Sequence, residues 1–272
     1  MKKHLLSTVS VFKNENEYLK EWIEYHILLG VDHFYMYDQD GGIEAMKILK
    51  PYEEAGIVTR HSWTHFDGTK HDKRTQFWER DKSHIAYAHA AKNYRSKTQW
   101  LQKLDIDEFL LAKKDIDIKD WLRSLDTKRV KGYRVYRFNF GNNGHLVKPD
   151  GLIIENYLRR EKKYSNYKDA ANGDFLSSNR YIYNSHRWGY KSFKGGGILT
   201  DFEEIPIQIN HYYSKSYEEY RTRQNVMRSR DTSLDAFNDL NESHNDVRDT
   251  RILKYLEPLK SKINPTESLM YS

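Results

Sequence analysis

The chain has 272 residues, 38% of them hydrophobic and 31% charged, enough to bury a large core beneath a well-solvated surface. It contains no cysteine, which excludes disulfides and thiolate metal sites, and its net charge of +6 favours an anionic partner. A nucleoside diphosphate, a nucleic acid and a membrane surface all satisfy that charge, and peripheral membrane association through a basic surface is compatible with it.

The basic start and the short apolar run behind it are too brief for a membrane span and carry no cleavage site, so 5–12 reads as a first, buried strand. No apolar stretch reaches spanning length, and the expected location is cytoplasmic. Asn14 is placed to cap a helix in which Tyr18, Leu19, Trp22, Ile23, His26 and Leu29 recur at helical spacing, and Gly30 stands where the helix should end. A second strand over 33–37 runs into the turn 38–42. A helix over 43–55, a strand over 57–63, a long helix over 76–94 and a strand over 99–104 follow. Strand and helix alternating in this way predict a wound α/β sheet, whose ligand sits beyond the carboxyl ends of the strands. Asn14-Glu15, Asp38 and the run Asp105-Ile106-Asp107-Glu108 all fall at such ends.

The second half reads as strands over 132–140 and 151–160, a long polar and aromatic stretch over 164–197, a strand over 205–213, and helices over 216–230 and 246–262. The 164–197 stretch has weak periodicity and a glycine run. It is expected to be an acceptor loop or lid that orders on donor binding, with a rigid structural excursion as the alternative.

Asp105 and Asp107 are one residue apart, so in an extended segment both carboxylates point to one side. They interrupt an apolar run between Trp100-Leu101 and Phe109-Leu110-Leu111, where unpaired carboxylates are costly. A bound Mn²⁺ or Mg²⁺ removes that cost, whereas a solvated acidic turn is the bland alternative. His211 falls at another strand end and reads on spacing alone as a packed residue or a ligand. Lys215, Arg221, Arg223 and Arg228 follow it and suit a diphosphate.

The blocks Phe12-Lys13-Asn14-Glu15, Glu21-Trp22-Ile23-Glu24-Tyr25-His26 and Gly30-Val31-Asp32-His33-Phe34 resemble the opening of glycosyltransferase family 92 and its bacterial family 2-like relatives. The resemblance continues through Leu104-Asp105-Ile106-Asp107-Glu108-Phe109, Phe140-Gly141-Asn142-Asn143-Gly144-His145 and Asn210-His211-Tyr212. It implies a single GT-A catalytic domain: a wound mixed sheet flanked by helices, with C-terminal helices. Within it, 1–110 would form the nucleotide-sugar half, 111–215 the acceptor-side half and 216–272 a helical segment.

It further implies a UDP-linked nucleotide-sugar donor, a glycan or glycoconjugate acceptor, no nucleic acid, Mn²⁺ or Mg²⁺, and inversion. By position, Asp105, Asp107 and His211 match the metal site. Asn14, Glu15, Asp38, Asp105 and Lys215 match the nucleotide site, with Asp38 toward the base. For the general base, Glu108, His145, Asp150, Asp174, Glu203 and Glu204 stay open, with His145 and Asp174 favoured. A nucleotidyltransferase is an alternative, but a Gly-rich loop should then follow the first strand, where Lys13-Asn14-Glu15-Asn16 stands. A basic glycan- or nucleic-acid-binding module is another.

Overall fold

The structure, a computed structural model, describes residues 2–39, 42–63, 83–177, 186–191, 196–227 and 231–264. In chain order the first half holds β1 (His4–Phe12), α1 (Asn16–Leu29), β2 (His33–Asp38), α2 (Ile43–Glu54), β3 (Val58–Ser62), α3 (Ser83–Tyr94) and β4 (Thr98–Lys103). Then come β5 (Glu108–Ala112), α4 (Ile118–Ser124), β6 (Val130–Asn139), α5 (Ile153–Asn156), β7 (Arg159–Arg160), β8 (Asn166–Asn172), β9 (Gly197–Leu199) and β10 (Ile207–His211). α6 (Tyr217–Met227), α7 (Leu234–Asn241), β11 (Val247–Arg248), a 3-10 turn (Arg251–Tyr255) and α8 (Leu256–Ile263) close the chain.

One mixed sheet runs in the order β3-β2-β1-β4-β8-β6-β10-β5, with β9 on β6. β3, β2, β1 and β4 are parallel, β8 is antiparallel to both β4 and β6, and β10 is parallel to β6 but antiparallel to β5. The expected mixed α/β sheet with flanking and C-terminal helices is thus the observed architecture. Alternate residues of the parallel strands feed two cores. Leu6, Phe34, Met36 and Trp100 face the one that includes α1, while Val9, Tyr35, Tyr37 and Leu101 face the one that includes α3.

The structure corrects four local expectations. The cap of α1 is Glu15 rather than Asn14, which instead takes a left-handed backbone with φ 54°. The expected strand over 151–160 is mostly the short helix α5, because the buried Glu21 carboxylate on α1 accepts the Ile153 and Ile154 N–H groups at 3.0 and 3.1 Å. A carboxylate at that end satisfies orphan helix donors from a distance of more than a hundred residues. The expected helix over 246–262 is broken at its start, where Asp249 accepts from Arg160 and Arg251 and holds the chain as β11 and the 3-10 turn. The 164–197 stretch is not a single loop either: 166–172 form β8 in the middle of the sheet, while 178–185 and 192–195 lie outside the described residues. Residues 76–82 of the expected long helix also lie outside them.

α1 is fastened to the sheet by polar groups as well as by its apolar face. Trp22 Nε1 donates to the Glu108 carbonyl at 2.8 Å and Tyr25 to the Leu110 carbonyl at 2.6 Å. His26 is fully buried; its Nδ1 sits 2.7 Å from the Trp22 carbonyl and its Nε2 accepts the Leu110 N–H at 3.2 Å. Those two bonds use a neutral ring with its proton on Nδ1. Burial correspondingly lowers the His26 pKa to about 3, against the raising effect of the Trp22 carbonyl.

The unfolded chain therefore takes up a proton near pH 6.5 that the folded chain refuses until about pH 3. His26 thus contributes stability that is whole above pH 6.5 and is lost on acidification, at up to about 1.4 kcal/mol per pH unit. His26→Gln keeps a donor and an acceptor but does not titrate. Urea unfolding from pH 7 to pH 4.5 should show wild type losing about 2 kcal/mol more than the variant; parallel losses in the two proteins would remove His26 as the cause.

Candidate functional site

β1 and β2 end together at Phe12 and Asp38, and β4 ends on the same side at Lys103, opposite Val9, so the segments that follow them gather at one edge of the sheet. After β4 the chain makes a tight turn in which the Glu108 N–H bonds the Asp105 carbonyl and the Asp105 N–H bonds the Glu108 carboxylate, both at 3.0 Å. Leu104, Ile106 and Phe109 enter the core, which leaves the acidic residues between them at its rim. The Asp105 side chain is 42% exposed and that of Asp107 is 1% exposed.

Sheet topology brings His211 to this turn. β10 runs antiparallel to β5, pairing His211 with Glu108, and the Tyr212 N–H donates to the Asp107 carbonyl at 2.8 Å. His211 Nε2 lies 3.4 Å from Asp107 Oδ2. On its other side Nδ1 is 2.7 Å from the Asn139 amide oxygen, and the Asn139 amide nitrogen donates to Ser165 at 2.9 Å. An amide held in that orientation accepts a hydrogen bond from Nδ1–H, which leaves the Nε2 lone pair facing the Asp107 carboxylate. Two electron-rich atoms facing one another make a donor pair for a cation. A carboxylate oxygen with an imidazole nitrogen suits Mn²⁺ better than Mg²⁺.

Asp105 is engaged differently. Lys168, 1% exposed on β8, places its ammonium 2.6 Å from Asp105 and 2.6 Å from Glu108, and Arg137 lies 3.2 Å from Glu108. Burial alone would push Glu108 up, but the positive charges of Lys168 and Arg137 hold it below the ordinary carboxylate range. Burial likewise opposes the charge on Lys168, yet Asp105 and Glu108 hold its pKa above the ordinary value. The expected metal triad is therefore assembled in part: Asp107 meets His211, and Asp105 meets an ammonium. Among the described residues there is no group of three or more His, Cys, Asp or Glu side chains arranged to hold a metal.

A crevice of about 530 Å³ opens beside this turn, lined by Lys13, Asn14, Glu15, Gln39, Asp105, Tyr213, Lys148 and Lys215 among others. Asn14 and Lys215 both have left-handed backbones, φ 54° and 48°, which cost roughly 1–3 kcal/mol each and are held only where surrounding structure enforces them. The Lys215 ammonium sits 4.1 Å over the Tyr18 ring, which fixes a mostly buried positive charge in the crevice wall.

The other expected residues lie elsewhere. Asp38 is fully buried and accepts from Arg60 Nε and Nη2 at 3.0 and 2.8 Å; its neighbour Gln39, not Asp38, reaches the crevice. The contacts of His145 are its ring against Tyr157 at 5.6 Å and backbone bonds to Asn142 and Tyr217. Asp174 follows β8, which runs antiparallel to β4 with Asn172 opposite Trp100. Asp174 therefore lies at the far end of the sheet from Asp105, paired with Lys2 at 2.7 Å. Glu203 and Glu204 precede β10 and so lie at the end opposite His211. The side chains of Arg223 and Arg228 lie outside the described residues. Lys168, Asn139 and Arg137 were missed. Asn139 and Arg137 lie in an expected strand with nothing local to mark them, and Lys168 lies in a stretch with charged or polar residues on both faces, which hides its period of two.

A family model described as "Glycosyltransferase family 92" matches residues 4–263. The chain is 25% identical over 228 residues to a glycosyltransferase family 92 protein of rice (Oryza sativa subsp. japonica), covering 82% of this chain and 35% of that one. It is 23% identical over 233 residues to a family 92 protein of Arabidopsis thaliana, covering 81% of this chain and 37% of the relative. A galactan beta-1,4-galactosyltransferase of Arabidopsis thaliana is 33% identical over 115 residues, 40% of this chain and 21% of that protein. The chain thus spans just over a third of the length of the family 92 relatives it matches.

The expected cytoplasmic location is corrected by these matches, because plant enzymes of this family generally work in the Golgi and secretory pathway. That expectation rested on the lack of a long apolar run. No helix among the described residues is long and apolar enough to cross a membrane, but the relatives extend well beyond the matched part. The match over nearly the whole chain, with the α/β sheet and the acidic turn after its fourth strand, places the protein in glycosyltransferase family 92.

Proposed function

We propose that this chain is a single catalytic domain that moves a sugar from a UDP-linked donor to a hydroxyl of a glycan, with inversion and with help from Mn²⁺. The observation that carries the reading is the meeting of Asp107 and His211 at 3.4 Å beside a crevice lined by three lysines and five carboxylates, at the edge of the sheet where α/β folds place their ligands. The galactosyltransferase relative supports a hexosyl donor and a glycan acceptor.

A divalent ion held by Asp107 and His211 would neutralise charge on the leaving diphosphate. The chain's own residues do the rest. Lys13, Lys148 and Lys215 supply the positive charge of a crevice that Glu15, Glu17, Asp105, Glu218 and Glu219 also line, and would be the groups that meet the diphosphate there. Asp105 keeps one face toward the crevice and is placed to accept from a ribose hydroxyl. Asn14 and Glu15, at the end of β1, line the part expected to meet the nucleoside. Asn139 holds the His211 ring in the tautomer that offers Nε2.

Asp107→Asn removes a charge at nearly constant volume and should abolish both transfer and the metal dependence of UDP binding while leaving the fold intact. Asn139→Ala should weaken Mn²⁺ affinity by about 10–100-fold, the range seen when the partner that orients a ligand is lost, and His211→Ala by at least as much. Mn²⁺ titrations with UDP present, together with thermal unfolding of each variant, check this. Wild-type behaviour of a folded Asp107→Asn protein would end the metal assignment.

The preference for uridine rests on the family resemblance, since Asp38 is turned into the protein. Calorimetry with UDP, GDP, CDP and ADP in Mn²⁺ should rank UDP tightest. A tighter complex with GDP would remove the uridine part and leave sugar transfer standing.

A further inference from the structure

The basic groups around the crevice differ in one respect from Lys168: its side chain is 1% exposed and its ammonium bridges two carboxylates, Asp105 and Glu108, each at 2.6 Å. Its backbone has little freedom. β8 is bonded to β4 on one side and β6 on the other, with Lys168 opposite Val135. Arg137, on the same face of β6 as Val135, adds a second cation at Glu108. A compact ammonium with three donors can join two carboxylates much as a small metal ion does. Asp105 and Glu108 are thus joined through a fixed internal charge, while Asp107 turns to His211.

We propose that Lys168 is a positioning residue whose ammonium claims the Asp105 carboxylate, so that a divalent ion is left to Asp107 and His211 and binds weakly until a donor diphosphate supplies further oxygens. This inference rests on the metal reading given above. Its consequence is ordered loading: ion and nucleotide enter together, because neither the two protein ligands nor the nucleotide alone completes the shell. Without Lys168 the turn would present Asp105 and Asp107 together, the hard-oxygen pair that its spacing suggests, and would hold the ion in the absence of nucleotide.

The test is a Mn²⁺ titration without nucleotide, followed by the paramagnetic signal of free Mn²⁺, on wild type and five variants, Asp107→Asn among them, then repeated with UDP. Lys168→Met/Glu108→Gln removes one positive and one negative charge and releases Asp105. It should bind Mn²⁺ at least about tenfold tighter than wild type without nucleotide, and adding Asp105→Asn in that background should cancel the gain. Lys168→Arg keeps the charge, though not the compact ammonium, and its nucleotide-free affinity should stay below that of the double variant. Asp105→Asn alone, at a partly exposed position, should leave nucleotide-free affinity within about twofold of wild type.

The inference is overturned if Asp105→Asn weakens Mn²⁺ binding as much as Asp107→Asn does, or if the double variant, folded by circular dichroism, binds no tighter than wild type. Should the double variant not fold, the comparison of Asp105→Asn with Asp107→Asn decides alone. Wild type that binds no Mn²⁺ either with or without UDP would bring down the metal reading and this inference with it. Wild type that binds only with UDP and loses that binding with Asp107→Asn keeps the metal reading whichever way Lys168 falls.

Discussion

Three carboxylates within four residues, Asp105, Asp107 and Glu108, sit at the rim of a hydrophobic core, and the rest of the site follows from how their charge is met. Left to themselves they would repel one another and resist burial. Lys168 and Arg137 come from two neighbouring strands to meet Asp105 and Glu108, and removing one partner from such a buried pair typically costs about 3–5 kcal/mol. That cost ties the acidic turn to the correct pairing of β8 and β6. A shift of one residue in either strand would point these cations to the other face of the sheet.

The same part of the sheet supplies His211, which meets Asp107. β6 carries both Arg137, which steadies Glu108, and Asn139, which orients His211. β10 lies between β6 and β5, so His211 has Asn139 on one side and the acidic turn on the other. Trp22 and Tyr25 on α1 donate to carbonyls of β5, so the helix behind the sheet holds the strand that begins at Glu108. A disturbance in the packing of α1 would therefore reach the carboxylates through a single strand.

The crevice wall has its own constraint. Asn14 and Lys215 occupy left-handed backbone positions that non-glycine residues seldom adopt, one at the end of β1 and the other shortly after β10. Neither is needed to continue a strand or a helix. Both point the chain along the wall of the crevice, and the Lys215 ammonium is held over Tyr18 of α1. Backbone strain of this kind gathers where the position of a charge matters more than local stability.

The sequence alone determined the parallel half of the molecule, because its strands and helices are local and announced by period, capping glycine and turn. The end of α1 at Gly30, with φ 104°, follows from that residue. That Asp105, Asp107 and His211 need partners was also legible, since charged residues in an apolar frame at strand ends demand an explanation. What only the tertiary structure decided is how they are partnered. β8 lacks a clear alternation and is a strand because β4 and β6 accept it on both sides. α5 is a helix because a carboxylate from α1 meets its N–H groups. Asp38 carries the same strand-end signal as Asp107, yet Arg60 on β3 draws it inward, and Asp174 is carried to the opposite edge by the antiparallel run of β8. Local pattern marks which residues must be satisfied, and the pairing of distant strands fixes what satisfies them.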